Sequence, residues 1–170
     1  PSSSVLRGVT KVCLNQGGGA FAVMGVSLPG PGGYGSVSLA DYDKDGYLDL
    51  LIANTNPEDG DAYRKVQLFR NVSGQTFTKV NVDLGAAAFA TWGDFNNDGY
   101  PDILEASLVD FTRAKIFKNN GNGTYADINA PLEGVAGGCY GSWGDYDNDG
   151  RLDILLTGWT GSGNSRILRV

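Results

Sequence analysis

Three stretches of this chain repeat one pattern. Each places acids at positions 1, 5 and 9, an acid or amide at position 3, and glycine at position 6. The first carries Asp41, Asp43, Asp45, Gly46 and Asp49 and runs into Leu50-Leu-Ile-Ala. The second carries Asp94, Asn96, Asp98, Gly99 and Asp102 and runs into Ile103-Leu-Glu-Ala. The third carries Asp145, Asp147, Asp149, Gly150 and Asp153 and runs into Ile154-Leu-Leu-Thr. Their starts lie 53 and 51 residues apart. A fixed period of this size is the signature of a repeat architecture, in which each copy is one supersecondary unit.

A second element recurs between the acidic loops. Asn15, Asn71 and Asn119 are each followed six residues later by an aromatic residue, Phe21, Phe77 and Tyr125. The residues between are turn formers, and a short apolar stretch precedes each Asn. That is the pattern of a hairpin. One unit therefore reads as strand, Asp loop, strand, variable loop, strand, Asn/Gly turn, strand. Glycine, at 26 of 170 residues, interrupts nearly every window in which a helix could start. The expectation is an all-β chain of β-propeller blades, each of four antiparallel strands, with about three blades' worth of sequence. Residues 1–170 read as a single repeat domain. Within it, 11–27 read as a half blade (strands 3 and 4), 36–83 and 88–130 as blades, and 139–170 as a partial blade. Trp92 and Trp143, each two residues before an Asp loop, read as core.

Carboxylates packed into so tight a loop repel one another and raise each other's pKa unless a cation intervenes. Calcium suits the pattern. It takes six to eight hard oxygen ligands, with glycine at position 6 for the turn and a backbone carbonyl at position 7. Position 7 is Tyr47, Tyr100 and Arg151. The loops hold no His or Cys, which disfavours zinc and copper. Three calcium sites are expected. An EF-hand is the rival reading, and Glu105 falls at its position 12, but Ile52 and Leu156 stand there in the other copies. The incoming segments are also too rich in glycine and β-formers for an entering helix.

Composition removes other classes. The formal charge is −6, from 19 acids and 13 bases, and 11 of those acids sit in the three loops. An acidic chain with no basic stripe is a poor nucleic-acid binder. No run approaches the length of a membrane span, and no signal peptide is evident in these residues. There is no histidine and no nucleophile motif, so the chain reads as no enzyme. Cys13 and Cys139 form no CxxC pair, leaving either one disulfide or two buried free thiols.

The motif D-x-[DN]-x-D-G-x-x-D, with its preceding strand and the later N-x-G-x-G-T-[FY], resembles the FG-GAP/VCBS repeats. Such repeats occur in the integrin α-subunit propeller, in fungal lectins and in many secreted proteins. The resemblance implies that each Asp loop is a calcium site joining the first two strands of a blade. It implies a ring of about six to eight blades, so this chain is expected either to belong to a longer propeller or to complete a ring with copies of itself. It implies an extracellular or cell-surface module for recognition or adhesion, with a protein or glycan ligand. The alternatives are a calcium-dependent lectin, or a structural propeller accessory to a larger secreted enzyme such as a polysaccharide-degrading one. The loops between second and third strands vary most and carry Tyr63, Arg64, Phe111, Arg113 and Trp159, the candidate ligand contacts.

Overall fold

A computed structural model describes residues 9–31, 35–55, 65–106 and 114–159, with the backbone alone at 54, 55, 136–138 and 159. Among these residues there is no helix. The described residues form fourteen strands, arranged as two four-stranded antiparallel sheets and three two-stranded ones.

The first four-stranded sheet joins β5 (Val37–Ala40), β6 (Asp49–Thr55), β7 (Lys65–Val72) and β8 (Thr76–Val80) in chain order. The second joins β9 (Phe89–Gly93), β10 (Asp102–Ala106), β11 (Ala114–Asn119) and β12 (Tyr125–Asp127) in the same way. Each is a meander whose first turn is an Asp loop and whose last is an Asn/Gly turn. Before them lies the hairpin of β2 (Cys13–Gly17) and β3 (Ala20–Val23), and after them the pair β13 (Ala136–Gly144) and β14 (Asp153–Trp159). The remaining small sheet pairs β1 (Val9–Thr10) with β4 (Leu28–Pro29), which sequence periodicity did not reveal.

The second strands are buried along both faces, and their alternation assigns each face a neighbour. Ile103 packs with Tyr42, Leu51 and Leu68 of the first sheet, while Leu104 packs with Phe89, Ile154 and Leu156 towards the last pair. A third cluster joins Leu50, Ile52 and Phe69 to Leu28 and Val12. The sheets thus stack face to face, as blades do. The fold is all-β and built of propeller-type blades. Inner strands are tied as well: the Ser36 hydroxyl accepts from the Ala90 N–H at 2.9 Å and donates to the Ala90 carbonyl at 3.0 Å.

Trp92 and Trp143 are half-buried between sheets. Trp92 stacks on Tyr42 with ring centroids 6.3 Å apart, and Trp143 stacks on Phe95 at 6.4 Å. Tyr42 and Phe95 are both position 2 of an Asp loop, so each of these two loops covers the tryptophan of the next blade. The two cysteines form no disulfide with each other; Cys139 is buried and Cys13 exposed. This corrects the reading of Cys13 as a buried thiol: the β2–β3 hairpin is exposed throughout, so its period-2 pattern selects no covered face. Glu105 lies within β10 rather than at the end of a calcium loop.

Candidate metal loops and the family

All three Asp loops adopt one local structure. In the first, Asp41 accepts the N–H groups of Asp45 (3.0 Å) and Gly46 (2.9 Å), and Asp45 accepts that of Tyr47 (3.0 Å). In the second, Asp94 accepts from Asp98 and Gly99, and Asp98 from Tyr100. In the third, Asp145 accepts from Asp149 and Gly150, and Asp149 from Arg151. Short acceptor side chains stabilise turns in this way. Gly46, Gly99 and Gly150 have φ of 88°, 82° and 86°, so position 6 needs glycine's freedom.

Position 9 faces inward. Asp49 accepts the Tyr42 N–H at 3.0 Å and the Asn71 N–H at 2.7 Å. Asp102 accepts the Phe95 N–H at 3.2 Å and the Asn119 N–H at 2.7 Å. Asp153 accepts the Tyr146 N–H at 2.8 Å. Asp49 and Asp102 thereby bind the loop's second residue to the far end of the third strand. Asp49 and Asp102 are fully buried, and burial pushes both pKa values up to about 6 against the lowering pull of their N–H donors.

The loops differ in what their carboxylates meet. Ligand oxygens of Asp41, Asp43 and Asp49 lie within 4.8 Å of one another, as do those of Asp145, Asp147 and Asp149. The corresponding groups of the second loop form no such cluster among the described residues. There Asn96 replaces an acid and donates to Asp98 Oδ2 at 3.0 Å. In the first loop Arg70 pairs with Asp43 at 2.7 Å and Asp45 at 2.8 Å. In the second Lys118 lies 3.7 Å from Asp98, and in the third Arg151 pairs with Asp149. Arg70 and Lys118 each immediately precede the turn Asn at the end of a third strand.

The donor set fits a hard cation. It is all oxygen, and Asp43 Oδ1 is buried with no hydrogen-bond partner. A buried carboxylate oxygen left this way is costly unless a further ligand completes it. Of the candidate ligand contacts, Tyr63, Arg64, Phe111 and Arg113 lie outside the described residues, as does the side chain of Trp159. No helix among the described residues is long and apolar enough to cross a membrane.

The comparisons with known proteins agree with this architecture. The chain is 29% identical over 160 residues to cartilage acidic protein 1 of Mus musculus, covering 84% of this chain and 24% of that protein. It thus spans about a quarter of that relative's length. A solved lectin from Agrocybe aegerita, which recognises non-reducing terminal N-acetylglucosamine, shares the fold with a TM-score of 0.53 at 21% identity. The match covers 93% of this chain and 45% of the lectin chain. The FG-GAP-like repeat model matches residues 4–52 and 94–156, taking in all three Asp loops, and the chain belongs to the FG-GAP-like repeat family.

Proposed function

We propose that the chain is part of a calcium-stabilised, non-catalytic β-propeller module that serves extracellular recognition or adhesion, with a protein or glycan ligand. The observation that carries the calcium reading is the repetition of one loop geometry three times, with a buried unpartnered oxygen on Asp43 in the first copy. Asp41, Asp43, Asp45 and Asp49 would hold the first ion. Asp94, Asn96, Asp98 and Asp102 would hold the second, and Asp145, Asp147, Asp149 and Asp153 the third. The carbonyls of Tyr47, Tyr100 and Arg151 complete the sets. Calcium supplies neutralising charge: three ions would bring the formal −6 to zero.

The role in recognition draws support from the family, from the lectin that shares the fold, and from the cartilage protein that shares the sequence. A blade array of this kind would sit in a ring of about six to eight blades. Thermal melting across a calcium titration tests the first part. Binding to the folded form alone raises the melting temperature as calcium exceeds its Kd. An unchanged melting curve at about 1 mM calcium removes the calcium reading. A glycan array run with calcium and with EDTA tests the second. Calcium-dependent spots favour a glycan ligand, and an empty array favours a protein one.

A further inference from the structure

Two of the repeat's Asn/Gly turns contain an Asn-x-Ser/Thr triplet. Asn71-Val72-Ser73 lies at the turn from β7 to β8, and Asn122-Gly123-Thr124 at the turn from β11 to β12. Such a triplet can take an oligosaccharide on its amide nitrogen in a secreted protein. The two copies are folded differently.

Asn122 is exposed, as are its neighbours from Asn120 to Thr124. Its amide oxygen accepts two bonds from Thr124, the N–H at 3.1 Å and the hydroxyl at 2.6 Å. The same hydroxyl accepts Asn120 Nδ2 at 3.0 Å. Both bonds from Thr124 span two residues, so this Asx turn closes without help from the rest of the blade. Thr is stiff at χ1, which lowers the entropy lost in holding its hydroxyl there. A Cβ at Gly123 would meet nothing within 4 Å, so the space over the turn is open. The triplet is presented outward with its amide and hydroxyl already joined.

Asn71 is half-buried, and its amide works inside the fold. Its Nδ2 donates to the Leu48 carbonyl at 3.0 Å, and its oxygen accepts the Gly74 N–H at 2.9 Å. Ser73, the hydroxyl residue of this triplet, has a left-handed φ of 54°. The Leu48 bond pins the turn to the first Asp loop, as Asn119 does in the next blade through the Pro101 carbonyl at 3.2 Å. A sugar on Asn71 would have to break that bond.

We propose that Asn122 is an N-glycosylation site and that Asn71, despite its matching triplet, is not. The proposal rests on the extracellular part of the reading above. The donor is an oligosaccharide carried on a lipid pyrophosphate, and a transferase of the secretory pathway supplies the base. Asn122 Nδ2 attacks the anomeric carbon of the donor. The C–N bond forms and the bond from that carbon to the pyrophosphate oxygen breaks. The electron pair leaves with the lipid pyrophosphate, and one Nδ2 proton passes to the base. The turn lies against Tyr100, since a Cβ at Gly121 would stand 2.9 Å from Tyr100 Cε2. The glycan therefore stands beside the second Asp loop.

The whole chain, led into the secretory pathway of a eukaryotic cell by a cleavable signal, tests this. Cells and medium are pooled and treated with a peptide N-glycosidase, which turns a glycosylated Asn into Asp, and the peptides are mapped by mass. Asn122 should be converted and Asn71 left intact, and the chain should lose the mass of one glycan. Thr124→Ala keeps Asn122 but removes the hydroxyl, and it should lose the glycan. Ser73→Ala should keep it. The wild-type map locates the sugar directly, so a variant that folds poorly does not obscure the result. An unmodified Asn122 overturns the proposal. So does a glycan on Asn71, alone or together with Asn122. Either result spares the proposed function, which the calcium titration and the glycan array decide separately on the glycosidase-treated chain.

Discussion

Asn119 donates its backbone N–H to Asp102 Oδ1 at 2.7 Å, while its side-chain amide donates to the Tyr42 carbonyl of the adjoining blade at 2.9 Å. Both residues are buried. One carboxylate and one amide thereby join an Asp loop, the strand that leaves its hairpin, and the loop of the preceding blade. Position 9 of the motif is in this respect a structural strut as well as a candidate ligand.

That double role separates two effects of mutation. Asp102→Ala leaves the N–H groups of Phe95 and Asn119 without their acceptor, and each such loss costs about 1–3 kcal/mol when buried. The expected destabilisation is about 2–5 kcal/mol in urea unfolding, and it should persist in EDTA. If the Asp102→Ala loss vanishes in EDTA, the carboxylate works through metal alone.

The tryptophan stacks depend on a missing side chain. A Cβ at Gly93 would lie 2.4 Å from Cδ1 and 2.5 Å from Cγ of Trp143. Gly93 has an ordinary backbone conformation here, so the constraint is space rather than φ. Gly93→Ala should push the indole off Phe95 at a cost of about 1–3 kcal/mol. It should also shift the tryptophan emission towards that of an exposed indole. An unchanged spectrum with wild-type stability would show that the blades part freely at this point.

Much of this was legible in the sequence because the repeat supplies its own alignment. The period, the Asp loops and the Asn/Gly turns gave the strands and their meander order, since hairpin pairing is local. What escaped was non-local. The acceptor role of Asp49 involves Asn71, 22 residues on, and Lys44 reaches a carbonyl 54 residues on. Neither is implied by spacing within a loop. The signal in the sequence was Lys44 itself, which stands where its two counterparts are Asn, the usual occupant of the left-handed conformation. Cys13 escaped for a different reason: an average tendency of cysteine to be buried says nothing about a hairpin whose both faces are open.

The two thiols should respond differently to a reagent. Cys13 is exposed on its hairpin, whereas Cys139 is buried, contacts the Ala106 carbonyl at 3.5 Å, and has its pKa pushed up by burial. One thiol should react with a disulfide reagent in the native chain and two after denaturation. Cys13→Ser should leave no fast-reacting thiol. Equal rates for both in the native state would place Cys139 in contact with solvent.

Glu105 should make stability fall as pH rises. It lies in β10 opposite Ala90 and Lys115, is 3% exposed, and has Oε1 without a hydrogen-bond partner. Burial raises its pKa well above the ordinary carboxylate range, Lys115 opposes the shift, and Asp127 and Asp83 add to it. The folded chain therefore keeps a proton that the unfolded chain releases. This group's contribution is fully present below the unfolded pKa, near 4.5, and is lost as pH climbs towards the folded value. Glu105→Gln mimics the protonated form. It should match the wild type near the bottom of that window and exceed it by about 1 kcal/mol at pH 8, where the carboxylate's unmet hydrogen bonding weighs against it. Urea unfolding in EDTA across that range isolates the effect from calcium. A Glu105→Gln protein that loses more stability at high pH than at low would mean that the ionised carboxylate is well satisfied in the fold.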